Sequence, residues 1–242
     1  MTHIFLKEFN GFLNSLIGYL VVVVFLVAMG LIMWVFPATS VLEYGYADMD
    51  TLFSFGPYVF IFLVPAITMR SFAEERKLGT LELLMTKPLT EGAIVGGKFL
   101  ACFLLVIIAL LPTVIYYFTL YKLGSPEGNI DTPGVLGSFV GIVLLGGVFC
   151  AIGIFASSVT SNQIISFIMA AFFCFIFYAG FDSAASLVSD GKVSLLIKQW
   201  GILYHYESLS KGVIDSRDLI YFLSIAGVLL LSTKTVLSSR SW

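Results

Sequence analysis

The charged side chains of the sequence concentrate in one run between residues 70 and 88, which long apolar stretches flank on both sides. Four consecutive charges, Glu74 to Lys77, cannot all pair with one another, so we expect them to face solvent or a partner. Basic residues here could serve only to fix membrane topology in a solvated loop. Topology does not require the carboxylates Glu74, Glu75 and Glu82, which favour a segment that docks in a protein groove.

Local propensities predict two short helices within this run. Residues 70–77 are mostly good helix formers. Gly79 favours the position that follows a helix end. Thr80 can cap a second helix over residues 81–86, which the pair Lys87-Pro88 would end.

A second pattern, Gly92, Gly97 and Lys98, matches the first part of the phosphate-binding loop G-x-x-x-x-G-K-S/T. The next residue is Phe99, which has no hydroxyl group to place on magnesium, and no strand precedes Gly92. We therefore expect no nucleotide site, and no enzymatic activity, in this chain. If the protein uses ATP and magnesium, another chain binds them.

Metal, redox and nucleic-acid chemistry find little support. The three cysteines, Cys102, Cys150 and Cys174, fall inside apolar runs without ligand spacing, which favours small buried side chains over a redox or metal role. His3 and His205 lie far apart in the sequence. The net charge of −2, with no long basic stretch, argues against a nucleic-acid partner. We expect no cofactor or metal in this chain.

Membrane helices must position the charged run. Of the 242 residues, 59% are hydrophobic and 12% charged, against about 25% charged in soluble domains. The mean hydropathy is +1.00. Six apolar runs are long enough to cross a bilayer, so we predict an all-α membrane protein with a single domain, residues 1–242. The predicted spans are residues 16–36, 52–69, 99–121, 135–159, 164–181 and 219–237.

No Asp, Glu, Lys, Arg or His lies in the central part of any predicted span. Ion-coupled carriers usually place ionisable side chains there, for ion sites or proton relays. The sequence therefore argues against an ion-coupled carrier, and also against an enzyme that uses acid or base groups within the bilayer.

The segments outside the spans predict surface helices. Phe5, Phe9 and Phe12 recur at helical spacing, which is typical of a short helix in the membrane interface. Residues 182–218 predict one or two short helices on the membrane surface, where Trp200, Tyr204 and Tyr206 would form an interfacial belt.

Glycines and prolines mark special positions inside the spans. Gly137 and Gly141 form a small-xxx-small pair, which predicts a close helix contact either within the subunit or between two copies. Pro57, Pro65 and Pro112 lie in the second and third spans, where prolines often kink membrane helices.

Lys and Arg residues set the predicted orientation. Six spans place both termini on one side, which receives eight basic residues against five on the other. The eight are Lys7, Arg70, Arg76, Lys77, Lys87, Lys98, Lys234 and Arg240. Both termini and the charged run are therefore predicted to be cytoplasmic.

The stretch from Arg70 to Leu84, RSFAEERKLGTLELL, followed by Thr86-Lys87-Pro88-Leu89, closely resembles the cytoplasmic loop of ABC exporter permeases of the second type. The six spans and the N-terminal helix are similar to the same family. The later stretch from Tyr204 to Ser224 resembles the permease subunit associated with bacterial gliding motility. The resemblance covers essentially the whole chain.

This resemblance implies a multi-pass permease subunit of the bacterial inner membrane that dimerises with a second copy or a related subunit. A separate cytoplasmic ATPase, which holds the ATP and magnesium, would power it by moving a coupling helix and, through it, the second and third spans. The implied docking residues are Arg70, Phe72, Glu74, Glu75, Arg76, Lys77, Gly79, Thr80 and Glu82. The implied external gate contains Tyr204, His205 and Glu207.

The resemblance also implies contact with membrane lipid and with a membrane protein that carries a large periplasmic part. One alternative stays open: the chain could be a membrane scaffold that transports nothing and turns ATPase cycles into mechanical or assembly work.

Overall fold

The fold is built from helices joined by turns. A computed structural model describes residues 1–86, 89–212 and 214–239. No strand occurs in these three ranges, and six of their helical segments are long and apolar enough to cross a membrane. The predicted all-helical membrane architecture is therefore confirmed. The expected helix end at Lys87-Pro88 lies outside the described residues.

Fourteen α-helices run through the part of the chain that the structure describes. In chain order they are α1 (Thr2–Leu13), α2 (Leu16–Trp34), α3 (Val41–Tyr44), α4 (Asp50–Thr68), α5 (Ala73–Lys77), α6 (Thr80–Met85), α7 (Glu91–Leu110), α8 (Val114–Leu123), α9 (Thr132–Val159), α10 (Gln163–Phe175), α11 (Phe181–Ser186), α12 (Gly191–Trp200), α13 (Ile202–Leu209) and α14 (Ser216–Ser238). A 3₁₀ turn, Leu111–Thr113, joins α7 to α8, and a π-helical segment, Ile176–Gly180, joins α10 to α11.

The spans lie close to the predicted apolar runs except at three limits. The second span continues through the turn after α4 to Lys77, beyond residue 69. The third span begins at Glu91 instead of residue 99, because Thr90 caps the helix by accepting a hydrogen bond from the Ala93 N–H at 3.3 Å. The fifth continues to Ser186, beyond residue 181, because Asp182 ends the apolar run without ending the helix. Charge thus marked the edge of the apolar stretch, while the backbone stayed helical.

The prolines have different local outcomes. Pro57 and Pro65 lie inside the continuous helix α4. Pro112 lies in the 3₁₀ turn that interrupts the third span. A proline removes one backbone N–H from the helical ladder, which accounts for a break at that point.

Helix α9 forms the centre of the bundle, with α4, α7, α10, α13 and α14 packed around it. In its most apolar window 72% of the residues are buried, against 11% for α14. Its glycines permit this close packing: a Cβ added at Gly146 would lie 2.7 Å from the Val106 side chain. The second, third, fifth and sixth spans therefore pack against one central helix, while the first, α2, packs on α4 and α7.

The small-xxx-small pair makes its contact within the subunit. A Cβ added at Gly137 would overlap the backbone oxygen of Leu209. A Cβ at Gly141 would lie 3.2 Å from the ring of Tyr206. Both glycines thus lie against α13. Of the two predicted contacts, within the subunit or between two copies, the structure shows the one within the subunit.

Tyr206 corrects the expectation of an interfacial belt. Its side chain is buried in the bundle, and its hydroxyl donates a hydrogen bond of 2.8 Å to the Phe53 backbone oxygen. Trp200 and Tyr204 are exposed. Helix α13 therefore packs into the bundle through one face, which the sequence pattern of mixed apolar and polar residues did not reveal.

The N-terminal helix and the last turn of α14 lie at the same end of the bundle as the charged run. Lys7 of α1 is 3.5 Å from Glu75, and the Ser238 hydroxyl donates a hydrogen bond to Glu91. We call this the charged end. The far end carries α12 and α13.

Candidate docking site

The charged run forms two short helices that a glycine separates, as the sequence predicts. Helix α5 ends before Leu78, and Gly79 adopts φ +70, a conformation that glycine tolerates better than other residues. Two details differ from the prediction. The first helix begins at Ala73, not at Arg70, and Gly79 instead of Thr80 occupies the N-cap of α6.

Thr80 does not cap α6 but bonds back to α5. Its hydroxyl donates a hydrogen bond of 3.3 Å to the Glu75 backbone oxygen, across the turn that joins the helices. This bond ties the start of α6 back to α5. The two helices are therefore held together as one bent unit.

A serine on the central helix holds the start of α5. The Ser157 hydroxyl oxygen accepts hydrogen bonds from the Phe72 and Ala73 N–H groups, at 2.9 and 3.0 Å. The same hydroxyl donates to the Met69 backbone oxygen at 3.0 Å. Phe72, at the N-cap position, has no side-chain oxygen of its own, so α9 supplies the cap from outside.

Arginines add two further contacts. Arg76 donates a hydrogen bond to the Ser158 backbone oxygen at the end of α9. Arg70 pairs with Glu74 one turn along, with 3.0 Å between Nε and Oε2. The Arg76 bond is a second attachment of α5 to the central helix, next to the one made by Ser157.

A buried lysine, Lys98 of α7, joins α7 to α1 and α5. Lys98 Nζ lies 2.8 Å from Glu8 Oε1 and 3.0 Å from Glu75 Oε1, and the lysine side chain is 1% exposed. Its ammonium also lies 5.2 Å from the centre of the Phe72 ring. Lys7 approaches the same Glu75 oxygen. These groups balance in charge, which makes burial of the lysine tolerable.

Glu75 corrects the expectation that all four consecutive charges face outward. Its side chain is only 15% exposed and points towards Lys98, because that buried ammonium needs a carboxylate partner. Lys77 is exposed, and Glu74 is half-buried beside Arg70. Glu75 therefore stabilises α5 against α1 and α7 inside the chain.

A cavity of about 420 Å³ opens between α1 and the charged run. Its lining includes Lys7, Glu8, Arg70, Glu74, Glu75 and Lys98. Gly97 brings α1 close to α7 beside this cavity, since a Cβ there would lie 2.9 Å from the Ile4 side chain. Gly97 and Lys98 thus serve helix packing, and both lie inside α7, where no phosphate-binding loop is formed.

The outer surface of the bent unit presents two leucines that the predicted docking residues did not include. Leu78 is 67% exposed and Leu83 is 66% exposed. Lys77, Gly79, Thr80 and Glu82 surround them and are exposed as well. The signal in the sequence was the glycine break, which interrupts helical periodicity and turns both leucines away from the bundle.

Of the predicted docking residues, the structure brings all nine to this end of the bundle but divides them by position. Phe72 is fully buried, and Arg70, Glu74, Glu75 and Arg76 are half-buried against the chain. The remaining four lie on the outer surface. Ser157, Ser158, Glu8 and Lys98 support the unit and were not foreseen, since their partners are remote in the sequence.

The predicted gate residues lie at the far end on α13. His205 Nδ1 is 2.7 Å from Asp218 Oδ1 in α14, and Nε2 is 3.0 Å from the Gln199 backbone oxygen in α12. The imidazole stacks on Tyr221, with 3.8 Å between ring centres. His205 therefore joins α13 to both of its neighbours.

Tyr204 and Glu207 are exposed and line a small cavity of about 30 Å³ with Asp182 and Lys198. The Asp182 carboxylate lies 2.9 Å from the Lys198 ammonium, and this hydrogen bond raises the pKa of Lys198. The cavity has room for about two water molecules. Both predicted gate residues therefore lie beside a small cavity.

Neither end offers a metal centre within the three described ranges, where no suitable group of three His, Cys, Asp or Glu side chains occurs. Cys102, Cys150 and Cys174 are free and buried. The polar contacts at the two ends therefore attach short helices to a bundle of six spans.

The comparison with protein families identifies the class. Residues 2–237 match the model of the ABC-2 family transporter proteins, so the chain belongs to that family. It is a multi-pass membrane permease subunit of an ABC transporter, a class in which a separate ATP-binding cassette partner supplies hydrolysis. No match was found among curated proteins.

Proposed function

We propose that the bent unit of α5 and α6 is the coupling element that docks on the ATP-binding cassette partner. The observation that carries this proposal is the exposure of Leu78 and Leu83 on a segment held firmly from behind. Apolar side chains within a ring of polar ones are typical of a protein interface. Lys77 and Glu82, both exposed beside the leucines, supply charges that can set the register.

The proposal includes orientation and assembly. The charged end faces the cytoplasm of a bacterium and the far end faces outward across the inner membrane, in keeping with the excess of basic residues at the charged end. Two permease subunits pair in the membrane, with ATP and magnesium bound by the partner. Tyr204, His205 and Glu207 lie at the outer gate.

The gliding-motility role remains part of the proposal, supported by the resemblance of residues 204–224 to that subgroup. In this role a membrane protein with a large periplasmic part contacts the far end.

The test compares exposed leucines at the two ends. The double variant Leu78→Glu with Leu83→Glu should abolish co-purification of the ATPase from the cells that make the tagged chain. Leu187→Glu is the matched control, because Leu187 is also exposed but lies at the far end, and it should leave the yield unchanged. Normal recovery of the ATPase with the double variant would refute the docking proposal.

A further inference from the structure

The attachment of α5 to α9 uses the whole hydrogen-bonding capacity of one side chain. A serine hydroxyl has one donor and two acceptor positions. In Ser157 the donor serves the Met69 oxygen, and the acceptor positions serve the Phe72 and Ala73 N–H groups. Ser157 is fully buried, so water does not compete for these bonds.

The three bonds connect two helix ends. The Met69 oxygen belongs to the residue that follows the C-terminal end of α4, and the two N–H groups belong to the start of α5. These are the orphan backbone groups that every helix leaves at its ends. One hydroxyl on the central helix therefore closes the corner where the second span becomes the docking unit.

A glycine one turn earlier on α9 brings this corner within reach. A Cβ added at Gly153 would overlap the hydroxyl oxygen of Thr68. Gly153 and Ser157 are four residues apart, so they lie on the same face of α9. Close approach at Gly153 sets α4 against α9 at the distance that the Ser157 bonds require.

The central position of α9 determines what these bonds transmit. Because α9 contacts most other spans and is largely buried, a displacement of its end moves the packing of the whole bundle. The chain itself links α5 only to α4 and, through α6, towards α7. Ser157 adds a direct link from α5 to the fourth span.

We propose that Ser157 is the positioning residue through which movement of the docking unit is delivered to the fourth span, α9. The inference rests on the proposed docking of the ATPase on α5 and α6. It adds the fourth span to the second and third as a direct receiver of the motion. Arg76, which bonds to the Ser158 backbone oxygen, supports the same route.

The attachment itself can be tested without the ATPase, by hydrogen–deuterium exchange of the chain in lipid nanodiscs. Ser157→Ala should speed exchange in the peptide that spans residues 70–78 at least about tenfold, since two amides lose their acceptor. Ser158→Ala is the matched control, because that hydroxyl donates only to Phe155 in its own helix, at 2.7 Å. Unchanged exchange in Ser157→Ala would overturn the inference.

A second variant guards against loss of folding. Ser157→Cys keeps the shape of the side chain and offers a weaker acceptor. It should give an intermediate increase in exchange over residues 70–78, while peptides from the middle of α9 keep their protection. Exchange equal to that of the unaltered chain in this folded variant would also count against the proposal.

Coupling is then measured on the purified complex with its ATPase, with and without ATP and magnesium. In the unaltered complex, exchange near residues 150–160 should change when nucleotide is added. In Ser157→Ala that change should fall at least about threefold, when the two complexes are compared at equal amounts of bound ATPase. An equal nucleotide response in both would overturn this inference alone, whereas absence of ATPase from the unaltered complex would overturn the proposed function and the inference together.

Discussion

Lys98 at the charged end and His205 at the far end occupy similar positions with different chemistry. Each basic side chain joins three helices: Lys98 joins α7 to α1 and α5, and His205 joins α13 to α12 and α14. Both are largely buried, with 1% and 14% of the side chain exposed. The difference lies in how many N–H donors each offers to its two acceptors.

The ammonium of a lysine has three N–H donors, so Lys98 can bond to both of its carboxylates and keep one donor over. An imidazole has only two ring nitrogens, and in His205 each of them faces a single acceptor, the Asp218 carboxylate or the Gln199 backbone oxygen. The comparison teaches that the charged end is held by one group with several donors between two carboxylates, whereas the far end is held by two separate single contacts.

The largest expected effect comes from breaking the lysine cluster. Lys98→Met leaves the Glu8 and Glu75 carboxylates facing each other without the buried ammonium, and should lower the free energy of unfolding by about 3 kcal/mol. The measurement is the apparent melting temperature of the detergent-solubilised chain.

The control for this cluster is Lys98→Met combined with Glu8→Gln and Glu75→Gln, which removes the uncompensated charges and should recover part of the loss. If Lys98→Met alone melted like the unaltered chain, the cluster would not stabilise the charged end. Lys98 would then not hold the charged end in the way that His205 holds the far end.

The next effect compares one close-packed glycine at each end: one lies against a backbone atom and the other against a side chain. Gly137→Ala at the far end would press on the Leu209 backbone oxygen and should cost about 2 kcal/mol of stability. Gly153→Ala at the charged end would press first on the Thr68 hydroxyl. Gly153→Ala should recover part of its melting temperature when Thr68→Ala is added. Gly137→Ala should not be recovered by shortening a side chain, because it presses on a backbone atom. If shortening a neighbouring side chain recovered both variants, the two ends would not differ in this way.

The sequence predicts six membrane-spanning helices because run length and composition are local properties. It also predicts the break at Gly79, since a glycine acts on its own backbone. It does not predict the burial of Lys98, which depends on Glu8 from a helix 90 positions earlier. The sequence therefore places Lys98 in the charged linker, and the predicted third span begins at residue 99 instead of Glu91.

The supporting residues of the docking unit escape the sequence for the same reason. Ser157 looks like any small residue in an apolar helix, and its partners Phe72 and Ala73 are 85 and 84 positions away. The pair Gly137 and Gly141 does predict a close helix contact. Its partner, α13, is set by tertiary packing of Tyr206 and Leu209, which no local pattern encodes.

A smaller effect tests the attachment of the far end. His205→Phe keeps a ring against Tyr221 and removes the contacts to Asp218 and to the Gln199 backbone oxygen. The loss of one hydrogen bond to α12, about 1 kcal/mol, should speed hydrogen exchange in α12 roughly fivefold.

The control for this variant is the peptide of residues 70–78 at the charged end, which should exchange at the unaltered rate. Unchanged exchange of α12 in His205→Phe would show that His205 does not hold α12.

The smallest effect sets a lower limit for the comparison. Lys198 and Asp182 form an ion pair at 2.9 Å, closer to ideal length than several contacts of the lysine cluster, but both side chains are exposed. Water and salt screen exposed pairs, so distance alone does not determine their contribution. Lys198→Ala should therefore leave the melting temperature unchanged within error, in low salt and in high salt. A clear destabilisation that disappears at high salt would mean that the far end, too, is held by an ion pair between a lysine and a carboxylate, and the contrast between the two ends would be one of degree.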